Sequence, residues 1–438
     1  MKRRHFMMLP GAAYLMARGS AEAQQAKRAG GEPSAELDKL LPDQLLLKDY
    51  RPKSIYKIPK SEIKMSDSRL LGHFRWNPDG RFIYTMREPE PKQDDVNLWE
   101  IRVDTRTGQT VSKPRRITNW LGVSGLGLGG TQDGKQLAVT KITDEADVSV
   151  GELEANGRRL KNTRRLTLNE SDDYPGQWML DGKAVLSWSN RNGTWDIFKQ
   201  ALDQAEAQPV VTGSDYKQQP VLSPDGSWIL YLSSATAQVG AATPVRIMRV
   251  PTSGGAPQLV LEGRGIDGLA CARSPATLCV SSERTPDGRQ LIFSAFDLVN
   301  GRGKQLTRIN LRQPISGYRW DLWRDGSRLA FTQFDKREGR IQILPLAGGV
   351  AHEVNVKGWN CLGALSWAVD GKGLFVSRIP VSDNMLLYVD LEGRADVLWQ
   401  QGELIGRAYT WGVPSPDGRH LALVSYTTDC NVWLIENF

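Results

Sequence analysis

Apolar runs along this chain are punctuated by Asp-Gly at a nearly fixed spacing. The copies read WNPDGRFIYTMR (76–87), TQDGKQLAVTK (131–141), WMLDGKAVLSW (178–188), LSPDGSWILYLS (222–233), LWRDGSRLAFTQ (322–333), WAVDGKGLFVSR (367–378) and PSPDGRHLALVS (414–425). Successive turn Asp residues are 54, 48, 44, 100, 45 and 47 positions apart. The step of 100 is a double period, with ARSPATLCVSS (272–282) at its midpoint and Ala276-Thr277 where the others have Asp-Gly. Eight units of this size define a repeat architecture.

Asp-Gly between two apolar runs favours a tight hairpin, because both residues tolerate the positive φ such turns require. A β-rich run follows each turn, then a loop, a third strand such as TWDIFKQAL (194–202) or VRIMRV (245–250), and a short fourth such as RRLTL (164–168). Four strands per repeat predict an all-β fold, a β-propeller of eight four-stranded blades. Blades pack face to face, which accounts for strands that are apolar nearly throughout. Trp76, Trp178 and Trp367 each stand four residues before a turn Gly and read as wedges between blades. An extra Asp-Gly in TPDGRQLIF (285–293) falls between second and third strands and starts no blade. The chain stops after the third strand of the last unit. The upstream segment KSIYKIPK (53–60) is therefore expected to supply the missing outer strand and close the ring, removing an exposed edge.

The N-terminus changes the picture. Residues 1–23 have a basic start with Arg3-Arg4, an apolar run broken by Pro10, and Ala21-Glu22-Ala23 as a small-residue cleavage site. This reads as a twin-arginine-like export signal, hence a periplasmic or secreted protein. Residues 24–52 then form a tether and 53–438 the propeller. The formal charge of +7 falls to +4 once the signal's four Lys/Arg and one Glu are gone, too small to indicate nucleic acid. No stretch beyond the N-terminus suits a membrane span. An exported chain keeps disulfides, and Cys271 and Cys279 flank the ARSPATL hairpin almost symmetrically. They are a possible bonded pair or two buried thiols. Cys361 and Cys430 have no evident partner.

The Ser-Pro-Asp-Gly turns at 223–226 and 415–418, with Asn-Pro-Asp-Gly at 77–80, resemble those of the TolB-like propellers, relatives of the WD-repeat proteins. The resemblance covers about residues 53–438 and implies the fold, since the motif residues build turns. The fifth unit and the ending NVWLIENF are also similar to the extracytoplasmic propeller halves of acidobacterial serine/threonine kinases and winged-helix regulators, although no kinase motif is present. LLLKDYRPKSIYKIPK (45–60) looks like the lead-in of some secreted amidohydrolases, but the metal motif that follows there is replaced by a lone His73.

Catalytic signatures are missing. Outside the signal only His73, His352 and His420 remain, at non-equivalent positions, so no metal site is expected. The chain contains no P-loop, no Cys-x-x-Cys, no EF-hand loop and no Gly-x-Ser-x-Gly elbow. The expected function is a monomeric, non-catalytic scaffold without cofactor that binds a protein, peptide or other ligand. The alternative is a propeller lyase or glycan hydrolase acting on an acidic saccharide. The candidate site is a rim. Seven residues past each turn, where the second strand ends, stand Arg87, Lys141, Ser189, Ser233, Arg284, Gln333, Arg378 and Ser425, with Arg191 just beyond Ser189. Arg87, Lys141, Arg191, Arg284 and Arg378 would sum into a positive mouth for a carboxylate-rich peptide or acidic glycan.

Overall fold

The computed structural model describes residues 70–88, 96–107, 109–120, 122–123, 125–236, 241–311, 317–335, 338–378, 384–401 and 410–436. The signal at 1–23, the tether at 24–52 and the proposed closing strand at 53–60 lie outside the described residues.

The repeated turn explains itself locally. Asp225 Oδ1 accepts from Ser227 N at 3.0 Å and Gly226 has φ 75°. Ser223 Oγ bonds Asp225 at 2.5 Å and receives Trp228 N at 2.9 Å, so the Ser of Ser-Pro-Asp-Gly ties both sides of the turn together. The same Asp-to-N–H contact recurs at Asp79, Asp133, Asp181, Asp325, Asp370 and Asp417. These bonds hold Asp225 below the usual carboxylate range, the Ser223 hydroxyl first among them.

The turns generate seven sheets among the described residues, six of four strands and one of five, in place of eight four-stranded blades. The difference has a local cause. In the second and eighth repeats the second strand does not turn back but runs on, as Gln136–Glu154 (19 residues) and His420–Glu436 (17 residues). The crossing stretches ITDEAD (142–147) and YTTDCN (426–431) contain no Gly or Pro to reverse them. The two long strands pair with each other, and two expected blades become one sheet.

The chain divides into two compact units, one of Met1–Thr143 with Asp429–Phe438 and one of Asp144–Thr428. Each long strand contributes to both. In the first unit, Leu70–Trp76, Arg81–Arg87, Val96–Arg102 and Arg115–Arg116 form a meander. Its core gathers Ile83, Leu98, Leu137 and Val139 with Trp433 against them. Gln136 Nε2 bonds Glu436 Oε1 at 2.8 Å within it.

The second unit is a ring of six blades. Its inner strands are Asp173–Trp178, Tyr216–Leu222, Ile266–Cys271, Tyr318–Leu322, Leu362–Trp367 and Gly412–Pro414. Each touches the next, and the last touches the first. Five blades are meanders of consecutive strands. The sixth, the closing blade, takes its two inner strands from the C-terminal end and its two outer strands from residues up to Glu154 and from Arg159–Arg165. Ser149 Oγ and Ser425 Oγ lie 2.7 Å apart across it.

Every neighbouring pair of blades buries its own apolar cluster. One holds Val148, Val150, Trp178, Val185 and Ala422 between the closing blade and the first, and another holds Phe375, Tyr388, Leu421 and Leu423 between the fifth and the closing blade. Four further clusters fill the remaining gaps. Trp178 and Trp367 sit in these gaps, buried, and their indole N–H groups donate to Val413 O at 2.8 Å and Asp321 O at 3.3 Å on adjacent blades.

Candidate functional site

The inner strands of the second unit are irregular in a repeated way. Pairing between first and second strands slips at Pro175/Gln177, Gln218/Val221, Ile266/Gly268 and Leu362/Leu365. Such slips turn side chains that would otherwise face a neighbouring blade. They line a central cavity of about 880 Å³, within the range that small-molecule and peptide sites occupy.

One mouth of this channel is aromatic. Tyr174, Trp188, Trp195 and Trp411 line it, all half-buried. Tyr174 stacks on Trp411 at 5.3 Å and lies 5.5 Å from both Trp188 and Trp195, and Trp188 stacks on Trp411 at 5.8 Å. Trp411 Nε1 is anchored on Pro175 O at 3.1 Å. The rings are held by one another and together make a preformed apolar surface.

Beside them the wall is charged. Asp267 receives Ser282 Oγ at 2.7 Å and the Tyr318 hydroxyl, and Arg284 Nε lies 3.9 Å from its Oδ2. Arg284 in turn covers the Tyr318 ring at 4.9 Å. Asp321 accepts the Trp367 backbone N–H at 2.9 Å. Burial in the wall pushes both carboxyls up to about 6, against the opposing pull of these hydrogen bonds and nearby arginines. Asp267 still presents 23% of its side chain, so it is recessed but reachable from the channel.

Of the five basic rim positions, Arg284 alone lines this cavity among the described residues. Arg191 is turned onto the buried Asp173 at 2.6 Å and over the Phe198 ring at 4.2 Å. Arg378 ends its strand over Trp359, 5.9 Å from the ring centroid. Arg87 and Lys141 belong to the first unit, at the end of Arg81–Arg87 and opposite Leu126. Cys271 and Cys279 face each other in the β-hairpin and are joined by a disulfide, with Cys271 on the channel wall.

Sequence reasoning passed over the aromatic mouth and the two wall carboxylates. A signal existed for the first. Trp188, Trp195 and Trp411 fall outside the place, four before the turn Gly, that Trp178 and Trp367 share. Among the described residues no group of three or more His, Cys, Asp or Glu side chains gathers as a metal site. No helix there is long and apolar enough to cross a membrane.

Comparison with known proteins gives distant likenesses. No family model matches the chain. An uncharacterized protein of Agrobacterium fabrum is 23% identical over 233 residues, 51% of this chain and 64% of that protein, so the match spans less than two thirds of the relative. Among solved structures, TolB from Acinetobacter baumannii is 14% identical with a TM-score of 0.45, covering 78% of this chain and 81% of that one. An oligogalacturonate lyase in complex with manganese is 16% identical with a TM-score of 0.38, covering 67% and 76%. A nidogen/laminin complex gives 14% and 0.44, over 65% of this chain and 98% of that one. The fold rests on the chain's own strands. With its Asp-Gly turns, its meandering four-stranded blades and the closed ring of its second unit, the chain folds as a β-propeller.

Proposed function

We propose that this protein is an exported, non-catalytic binding scaffold that receives a protein or peptide segment at the aromatic mouth of the six-bladed channel. The observation that supports it is the cluster of Tyr174, Trp188, Trp195 and Trp411 at the opening of a large cavity, with Arg284 beside it. Trp, Tyr and Arg in a central, partly desolvated patch are the residue types that dominate binding energy at protein interfaces. Arg191 lends charge to the approach rather than forming the seat. Arg191 and Arg284 are already engaged with Asp173 and Asp267. The test is a peptide array probed with the mature chain and with a Trp188→Ala/Trp411→Ala variant. Sequence-selective capture lost in the variant supports the reading. Capture that is unchanged, or no selective capture at all, removes the aromatic mouth as the seat. Changing Arg3-Arg4 to Lys-Lys should block export, and unaffected export would exclude the twin-arginine route.

A second reading is supported by Asp267 and Asp321. Two carboxyls held near 6 in a channel that also carries Arg284 and Arg319 have the acid–base character that cleavage of an acidic saccharide needs. Turnover of an acidic oligosaccharide that Asp267→Asn abolishes would replace the scaffold reading with this one.

A further inference from the structure

We propose that the opposite mouth of the channel, on the side of the Asp-Gly turns, holds an oxyanion between Arg273 and Arg324. At that mouth each blade contributes the residue before its turn Asp: Leu180, Pro224, Arg324, Val369 and Pro416. The remaining blade, the one in which Ala276-Thr277 replaces Asp-Gly, contributes Arg273 and Ser274. Only two of these positions are charged. Both are arginine, and they lie on neighbouring turns, where Arg273 N donates to Arg324 O at 2.6 Å.

Three features make the pair a receptor for negative charge. First, the sister turns each carry an Asp that caps its own loop, and the Arg273 turn has none, so the arginines meet where the usual acid is missing. Second, Arg273 Nη1 is buried without a hydrogen-bond partner among the described residues. A buried donor left unmade is costly and calls for a bound group. Third, burial and the neighbouring Arg324 both weigh against the charge on Arg273, holding its guanidinium below its ordinary range. The acid nearest in effect, Asp321, has an oxygen committed to the Trp367 N–H. A carboxylate or phosphate between the two guanidinium groups would supply acceptors to both forks and offset their repulsion. The site lies at the other end of the channel from the aromatic mouth and does not depend on what binds there.

The experiment is calorimetric titration of the mature chain with inorganic phosphate and, separately, with succinate. The native protein should bind one of them saturably at millimolar concentration, the preference distinguishing a phosphate source from a carboxylate source. Arg324→Gln, on an exposed side chain, should weaken binding about tenfold or more, and Arg273→Gln/Arg324→Gln should abolish it. Arg419→Gln removes an equal charge from the exposed flank of a sister turn and should change nothing. Melting in the absence of anion checks that each variant is folded, and the exposed Arg324→Gln keeps the test valid if the double variant is not. Absence of saturable binding by either anion, equal binding by Arg324→Gln, or equal weakening by Arg419→Gln would overturn the proposal.

Discussion

Lys217 and Asp196 form the most enclosed ion pair among the described residues, and removing Lys217 should be one of the most damaging single changes in the second unit. Their side chains are 6% and 1% exposed and the Nζ to Oδ1 distance is 2.9 Å. All three ammonium protons are used, on Asp196, on Gly213 O at 3.0 Å and on Asp215 O at 2.7 Å. In Lys217→Met the two carbonyls lose little. Gly213 is exposed and keeps the Thr194 hydroxyl at 3.0 Å, and Asp215 is half-buried, so water can serve both. Asp196 has no such recourse and, among the described residues, would retain only Asn192 Nδ2 at 2.9 Å. Desolvation of the orphaned carboxylate therefore dominates, and the expected cost is about 3–5 kcal/mol. Asp196→Asn should cost less, about 1–3 kcal/mol, because the ammonium keeps both carbonyls. Asp196→Asn/Lys217→Met should cost clearly less than the sum, with a coupling of about 2 kcal/mol or more. Urea unfolding followed by far-UV circular dichroism measures all three. A loss below about 1 kcal/mol for Lys217→Met, or strict additivity of the double variant, would refute the reasoning.

Three further outcomes are expected. Trp178→Ala should lower stability by about 3–5 kcal/mol in the same assay, since it empties the interface at which the closing blade meets the first and removes the indole donor to Val413 O, while Trp178→Phe should cost less than half of that. Asp267 and Asp321 hold their protons longer in the fold than in the unfolded chain, so their contribution is fully present below about pH 4 and is lost as the pH rises through about 6; stability should fall by up to about 3 kcal/mol per carboxyl across that window, and Asp267→Asn should flatten the profile. The Cys271–Cys279 bond closes a short loop of sequence separation 8, so reduction should cost roughly 2.5 kcal/mol, and mass analysis of the unreduced protein should find both residues resistant to alkylation while Cys430 reacts.

The propeller was legible because its turns are made of local chemistry. An Asp that caps its own loop and a Gly at positive φ leave the same mark wherever they occur, and Ser223 adds a second bond of fixed spacing. The number of blades was not legible, because a strand that runs on differs from one that turns back only by residues that are missing. Nothing within 142–147 names 426–431 as its neighbour, since that pairing spans about two thirds of the chain. The channel mouth was hidden for a related reason. Trp178 and Trp188 are both indoles on apolar strands, yet one fills a gap between blades and the other faces the channel. The inner strand beside them slips register at Pro175/Gln177, and a Cβ at Gly176 would fall 2.6 Å from Pro220 Cγ, so the residue at the slip has to be Gly. The rim arginines were found by strand position, but position alone did not reveal that Asp173 would claim Arg191.

The closing blade sets a schedule for synthesis. Its halves are separated by nearly the full length of the second unit, as the 2.7 Å contact between Ser149 and Ser425 shows. Five blades can assemble from neighbouring sequence while the chain is still being made, each by short-range hairpins. The ring itself waits for the last strand. Until residues near Ser425 have emerged, Val148, Val150 and Trp178 are without the part of their cluster that Ala422 and Val413 supply, and the nascent protein carries an open apolar edge. Pairings of such long sequence separation form late and slowly. A translating ribosome that stalls anywhere before the strand around Ser425 would leave an unclosed ring, so that strand divides a closed second unit from an aggregation-prone one.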